Sequence, residues 1–260
     1  MMMTRLTDSI WRYHDETNAT SYLVVGKKRA VMIDCGGAGK PVMPLIRAVT
    51  DLPVILLLTH AHPDHYGSAA EFDEVWLHED DAKALPVFEE AFAVMGVKTL
   101  ERKTLRTFAD GHVFDLGGES LIACELKGHT PGSAVFVDEA QRCIFSGDAV
   151  GSGDIVLMSV PLAYSLSAYR DSLHAFLEKS APWADYTWYG GHYHQADRGE
   201  GMPPNTLCRA LVADMVILCD ALLAGQMQGE KTHEIFAPNG EARRAYMGRA
   251  GIVYCNEQVK

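Results

Sequence analysis

Apolar positions along the chain gather into short runs punctuated by glycine, aspartate and asparagine. "SYLVVG", "RAVMID", "VILLLT", "EVWLHE", "SLIACEL", "SAVFVD" and "RCIFSG" read as strands between turn signals. Between them lie stretches of helical pattern: "KPVMPLIRAVT", "EDDAKALPVFEEAFAVMG" with Pro86 inside it, "SLSAYRDSLHAFLEKS", and a long one from about Pro204 to Gly225. This interleaving predicts an α/β fold. No fixed-period repeat, low-complexity tract or linker divides the chain, so residues 1–260 are expected to form a single domain. The Gly- and Ser-rich "VGSGDIVLMSVPLAYSLS" fits neither pattern, and a loop of that length in a compact domain usually has a function.

Composition narrows the classes. With 48% hydrophobic and 22% charged residues the chain can bury a sizeable core, and its net charge of -11 repels phosphate backbones and anionic bilayers. The expected partner is therefore a small-molecule substrate, with no nucleic acid and no membrane. The first residues, "MMMTRLTDSIWRYHDE", lack the apolar segment of a secretory signal, and the cysteines Cys35, Cys124, Cys143, Cys208, Cys219 and Cys255 include no C-x-x-C pair. Reduced thiols in a cytoplasmic protein are the expectation. The most apolar long segment, "TLCRALVADMVILCDALLAG", is interrupted by Arg209, Asp214 and Asp220, which suits a helix packed on a core or forming the face of a homodimer.

The densest chemistry lies in "LLLTHAHPDHYGSA", where His60, His62, Asp64 and His65 follow an apolar run. Burying imidazole and carboxylate groups without partners is costly, and a metal ion would accept their lone pairs. Pro63 disfavours helical backbone at His62, so the segment is expected to be extended, with His60, His62 and Asp64 on one side and a short helix from His65 onward. One such residue alone would read as a helix cap or a solvated loop residue, but the cluster points to a metal. Three other stretches carry one candidate each: "KGHTPGS" with His129, "FSGDAVG" with Asp148 and "WYGGHYH" with His192. Singly, each reads as an ordinary turn residue beside glycine.

Taken in order, H-x-H-x-D-H, G-H-T-P-G-S, S-G-D and G-G-H resemble the metallo-β-lactamase superfamily, particularly its glyoxalase II-like hydrolase branch. The upstream "NATSYLVVGKKRAVMIDCGG" is similar to that family's opening strands, whose aspartate, here Asp34, supports the metal site from behind. The likeness runs from about Asn18 to His194. It implies a four-layer αβ/βα sandwich with two metal ions at one edge between the sheets. By the same resemblance His60, His62 and His129 hold one ion, Asp64, His65 and His192 the other, and Asp148 bridges. Zinc suits the imidazoles best, and the mixed donor set also accepts iron or manganese.

Two dications, the carboxylates of Asp64 and Asp148 and a bridging hydroxide would leave this centre at about plus one, which favours developing oxyanions and implies hydrolysis of a small ester, thioester or lactone by a metal-bridging hydroxide, with Asp64 and Asp148 as the catalytic carboxylates. An aspartate at 148 departs from true β-lactamases. Gly151 stands where lactonase relatives carry a tyrosine, a hydroxyl that Tyr164 could replace if it is not simply a core or surface residue.

The stretch from Ala149 to Ser167 is expected to roof the pocket, and Met158, Tyr164, Tyr193 and His194 are the candidate substrate contacts. From about residue 200 a helical extension is expected, whose Arg243, Arg244 and Arg249 either grip an anionic substrate tail or lie solvated on the surface. Two rival readings remain: a non-haem iron oxidoreductase acting on a sulfur compound, and a metal-stabilised binding protein without turnover.

Overall fold

The computed structural model describes residues 3–37, 40–93, 96, 99–151, 155–192 and 207–260. Its first sheet has seven strands in sequential order: β1 (Thr4–Arg5), β2 (Ile10–His14), β3 (Thr20–Val25), β4 (Ala30–Ile33), β5 (Val54–Leu57), β6 (Val75–His78) and β7 (Leu105–Phe108). The first four pair antiparallel, whereas β4 to β7 run parallel. Parallel neighbours need crossovers, and the helices α1 (Met43–Arg47), α2 (Pro63–Tyr66) and α3 (Glu79–Phe92) lie in these connections.

The second sheet contains β8 (Val113–Asp115), β9 (Ser120–Glu125), β10 (Ala134–Asp138), β11 (Cys143–Gly147) and, after β12 (Val156–Leu157) and α4 (Leu166–Lys179), β13 (Thr187–Gly190). Its order is β13-β11-β10-β9-β8. After α5 (Arg209–Leu223), β14 (Glu230–His233), β15 (Glu241–Met247) and β16 (Ala250–Tyr254) join β12 in a third sheet of order β12-β16-β15-β14.

The apolar runs explain the layering. Successive strand residues point to opposite faces, so a run with no polar interruption must be covered on both sides. In β4, Val31 and Ile33 enter the core between the two large sheets, while Ala30 and Met32 face the core that holds Leu85, Phe88 and Phe92 of α3. In β10, Ala134 and Phe136 meet that same central core, and Val135 and Val137 turn outward beneath Tyr169, Leu173 and Phe176 of α4. The result is the expected four-layer αβ/βα sandwich. α5 buries Leu211, Val212, Met215 and Leu218 against the α4 side and leaves Ile217 exposed.

The sequence reading needs correction in two places. Helix α2 starts at Pro63, before His65, because proline's fixed φ and missing N–H suit a first helical position. Among the described residues of the C-terminal segment the one α-helix is α5; the "EARRAYM" stretch is strand β15, whose paired partners are β14 and β16. Among the described residues, no helix is long and apolar enough to cross a membrane.

Candidate functional site

The edge where the two large sheets meet collects all seven candidate side chains, from the loops and the short helix that follow β5, β9, β11 and β13. His60 lies in a bend after β5 and His62 is in extended backbone, and α2 then carries Asp64 and His65 in its single turn, so Asp64 is not part of the extended segment that the sequence reading expected. His129 follows β9, Asp148 follows β11 and His192 follows β13. Pairing between β11 and β13 breaks register between Phe145 and Gly147, and Gly147 adopts φ +49°, so the chain turns off the sheet at Asp148. Thr20 N–H donates to Gly191 O at 2.7 Å, which ties β3 of the first sheet to the His192 loop of the second.

The ligand atoms fall into overlapping groups. Those of His60, His62 and His129 lie within 4.8 Å of one another, as do those of Asp64, His65 and His192, and also those of His60, His65 and Asp148. Asp148 Oδ2 lies 3.1 Å from His192 Nε2, 3.7 Å from His65 Nε2 and 3.9 Å from His129 Nε2, so it faces both halves. Donor atoms this close and buried, several of them without a hydrogen-bond partner among the described residues, fit cations. His60 Nε2, His65 Nε2 and Asp148 Oδ1 have no hydrogen-bond partner among the described residues.

Surrounding groups fix which nitrogens face inward. Asp34 accepts from Thr59 N–H, Thr59 Oγ1 and His65 Nδ1, each at 2.8 Å. Because the Thr59 hydroxyl donates to Asp34, its oxygen accepts from His60 Nδ1 at 3.0 Å, which leaves His60 Nε2 as the lone pair. His129 Nδ1 donates to Leu157 O at 2.7 Å with the same effect. Asp81 links the loops from behind, accepting from Ala61 N–H at 2.8 Å, the Thr130 hydroxyl at 2.8 Å and Gly132 N–H at 2.6 Å.

Electrostatics divides the cluster. Burial, reinforced by neighbouring imidazoles, pushes His60 and His62 well below the usual histidine range, so both are neutral donors. In the other half burial opposes charge but is outweighed. Asp64, Asp34 and Asp148 hold His65 well above the usual range, and Asp148 and Asp64 raise His192 to about 10. A cation entering this half competes with protons.

Above the cluster opens a cavity of about 460 Å³. Its walls include Thr17, Phe92, Leu157, Ser159, Val160 and the segment Glu234, Ile235 and Phe236. The stretch after Asp148 does contribute wall, but through different residues from those expected. Met158 is fully buried among the residues beneath α4 and α5, because alternation turns Leu157 and Ser159 toward the cavity and Met158 away. Tyr164 packs on that same core, and neither residue is among those lining the cavity. Tyr193 and His194 lie outside the described residues.

The three arginines are also elsewhere. Arg243 donates to Gly229 O and Asn256 Oδ1, Arg244 is exposed on β15, and Arg249 pairs with Asp214. A separate group, His78, Asp80 and Glu125, holds Lys127 Nζ between its two carboxylates at 2.8 and 3.0 Å, so an ammonium already matches its charge.

Asp81 and the wall at Glu234 to Phe236 went unread in the sequence. Asp81 had a signal: it shares one face of α3 with Leu85, Phe88 and Phe92, all buried, and an acid on an apolar stripe must have buried donors. The 234–236 wall had none, since its place depends on how the third sheet docks.

Comparison with known proteins agrees with this geometry. The chain is similar to the acyl-coenzyme A thioesterase MBLAC2 of Gallus gallus, 27% identical over 171 residues, covering 55% of this chain and 62% of that protein. It is similar to the hydroxyacylglutathione hydrolase GloC of Haemophilus influenzae, 29% identical over 139 residues, covering 50% of this chain and 65% of that one. The matched region thus spans less than two thirds of either relative. An archaeal metallo-beta-lactamase superfamily protein from Sulfolobus tokodaii shares the fold with a TM-score of 0.61 at 18% identity, covering 88% of this chain and 91% of that one. The family model for the metallo-beta-lactamase superfamily matches residues 14–192, which include every histidine and aspartate of the cluster. The chain belongs to the metallo-beta-lactamase superfamily.

Proposed function

We propose that this protein is a hydrolase that uses two divalent cations, most simply zinc, to cleave a small thioester or closely related ester. The observation that carries this reading is the position of Asp148 between two groups of inward-facing donors at the floor of a largely apolar cavity. His60, His62 and His129 would hold one cation, Asp64, His65 and His192 the other, with Asp148 shared between them. When bound, such ions supply Lewis-acid polarisation of a carbonyl oxygen and acidify water.

The chain's own residues define the rest. Asp64 is the more open carboxylate, its side chain 41% exposed against 13% for Asp148. Asp64 is therefore placed to orient an attacking water from the cavity side and to take its proton, whereas Asp148 is confined to the floor. The apolar walls exclude bulk water, which strengthens each charge interaction at the reacting carbonyl. Acyl-coenzyme A and hydroxyacylglutathione are both thioesters, so the names of the two relatives support the thioester class.

The test is metal content together with turnover on a simple acyl thioester. Zinc-loaded protein should hold close to two ions per chain and hydrolyse the thioester, and chelation should abolish the activity. A reproducible single ion under metal-replete conditions would overturn the two-cation reading. A single iron with no esterase activity would point to redox chemistry.

A further inference from the structure

The wall of the cavity farthest along the chain lies outside the region that matches the family model, residues 14–192. It is the connection between β14 and β15, where Glu234, Ile235 and Phe236 reach over the cluster. Phe236 packs edge-on against Phe92 with ring centroids 4.8 Å apart, and Phe92 packs against His62 at 5.1 Å. An aromatic path therefore leads from an expected ligand to the cavity mouth. There Ile235 is 71% exposed, although isoleucine gains by being covered. No lysine or arginine is among the described residues lining the cavity, and besides Asp64 and Asp148, which face the cluster, it carries the carboxylate of Glu234.

We infer that this connection forms an acyl-binding subsite which takes an uncharged aliphatic chain along Phe92, Phe236 and Ile235 and turns away acyl groups bearing a carboxylate. The inference rests on the thioesterase reading above and adds the class of acyl group. The reacting carbonyl belongs at the polar floor. Phe92, Phe236 and Ile235 give the atoms beyond it apolar neighbours on this side, and each methylene that enters leaves water. A terminal carboxylate would instead lose its hydration with no cation among these walls to pair with, and would face Glu234. The cavity volume of about 460 Å³ is within the usual range for a bound small molecule and exceeds what a carbonyl alone requires.

The experiment compares acetyl, butyryl, hexanoyl and succinyl thioesters of one thiol on the zinc-loaded full chain. For the wild type, kcat/KM should rise roughly fourfold per added methylene through hexanoyl, and succinyl should fall below butyryl. Phe236→Ala and the surface change Ile235→Ser should each reduce the hexanoyl-to-acetyl ratio, by about tenfold for Phe236→Ala. Glu234→Gln should narrow the gap between succinyl and butyryl.

Binding of hexyl and ethyl thioethers of the same thiol, which have no carbonyl to attack, gives a second readout independent of turnover. Tighter binding of the hexyl compound, lost in Ile235→Ser, supports the subsite even if no thioester is cleaved, in which case the hydrolase reading alone fails. Turnover across the panel with chain-length ratios unchanged in both variants, or a wild-type preference for succinyl, would overturn the subsite and leave the hydrolase reading standing.

Discussion

Asp64 Oδ2 and Asp148 Oδ2 approach the same nitrogen, His192 Nε2, at 3.2 and 3.1 Å, yet their surroundings give them different tasks. Removing Asp148 leaves a buried gap between both donor groups, so Asp148→Ala should lose metal from at least one site along with most activity. Asp64→Asn is nearly isosteric and should retain more metal, but without a charged acceptor for the water proton its turnover should fall by about 10²-fold or more. Metal analysis and thioester hydrolysis on both variants decide this; near-normal turnover of Asp64→Asn at full metal load would remove the water-orienting role. Asp81 makes a sharper case for stability. An asparagine there turns an NH2 group toward one of its three donors, so Asp81→Asn should cost about 2–3 kcal/mol in urea denaturation of the chelated protein. A loss under about 0.5 kcal/mol would mean that the loops are held by something else. The candidate ligands were legible as a dense cluster of His60, His62, Asp64 and His65 after an apolar run and, for His129, Asp148 and His192, as residue types beside glycine. Asp81 was harder to read because its partners, Ala61, Thr130 and Gly132, come from loops distant in sequence.

At the scale of elements, legibility followed burial on two faces. Strands β3, β4, β5, β10 and β11 are continuous apolar runs because both faces are covered, and all five stand out in the sequence. β14, "EKTH", is polar throughout with no buried residue, and β15, "EARRAYM", buries only Ala242 and Ala245, so both imitate a surface helix or turn. The turn between β10 and β11 gives a pH prediction remote from the cluster. Asp138 is fully buried; its Oδ1 accepts from Gln141 N–H at 3.0 Å and its Oδ2 has no hydrogen-bond partner. Burial, aided by nearby Glu119 and opposed by that N–H, lifts its carboxyl from 3.8 to about 6. The raised value means that the folded chain holds a proton the unfolded chain releases. The associated stability is complete below about pH 4 and is lost as pH rises through about 6. Asp138→Asn removes this titration, so from pH 4 to 7 the variant should gain roughly 2 kcal/mol relative to wild type. Denaturant melts at both pH values check this, and a pH-independent difference would show that Asp138 ionises normally.

For the whole molecule, the site is where the two large sheets pay for meeting at an open edge: neutral imidazoles, imidazoles charged by their neighbours and carboxylates are packed together without enough hydrogen-bond partners. The cluster's chemistry was readable because each donor announces itself by residue type. Of the cavity over it only the wall after Asp148 was read, since the Phe236 wall depends on the docking of a third sheet that no local pattern specifies. The same packing implies that cations are part of the fold's stability. His60, His62 and His65 are all at most 5% exposed, and without cations their Nε2 atoms, which have no hydrogen-bond partner among the described residues, must be desolvated on folding with nothing gained in return. A ligand that binds only the folded chain stabilises it by about 2.7 kcal/mol at a hundred times its Kd. For a chain of this size each kcal/mol moves Tm by roughly 2–4 °C. Zinc in that excess should therefore raise Tm by about 5–10 °C over chelated protein, and His60→Ala, which removes a donor shared by two of the groups, should reduce the shift by more than half. Scanning calorimetry of both proteins, with and without zinc, makes the comparison. An equal shift in wild type and His60→Ala would place the stabilising cation outside this cluster, and no shift in either would mean that the donors are held together by the surrounding sheets alone.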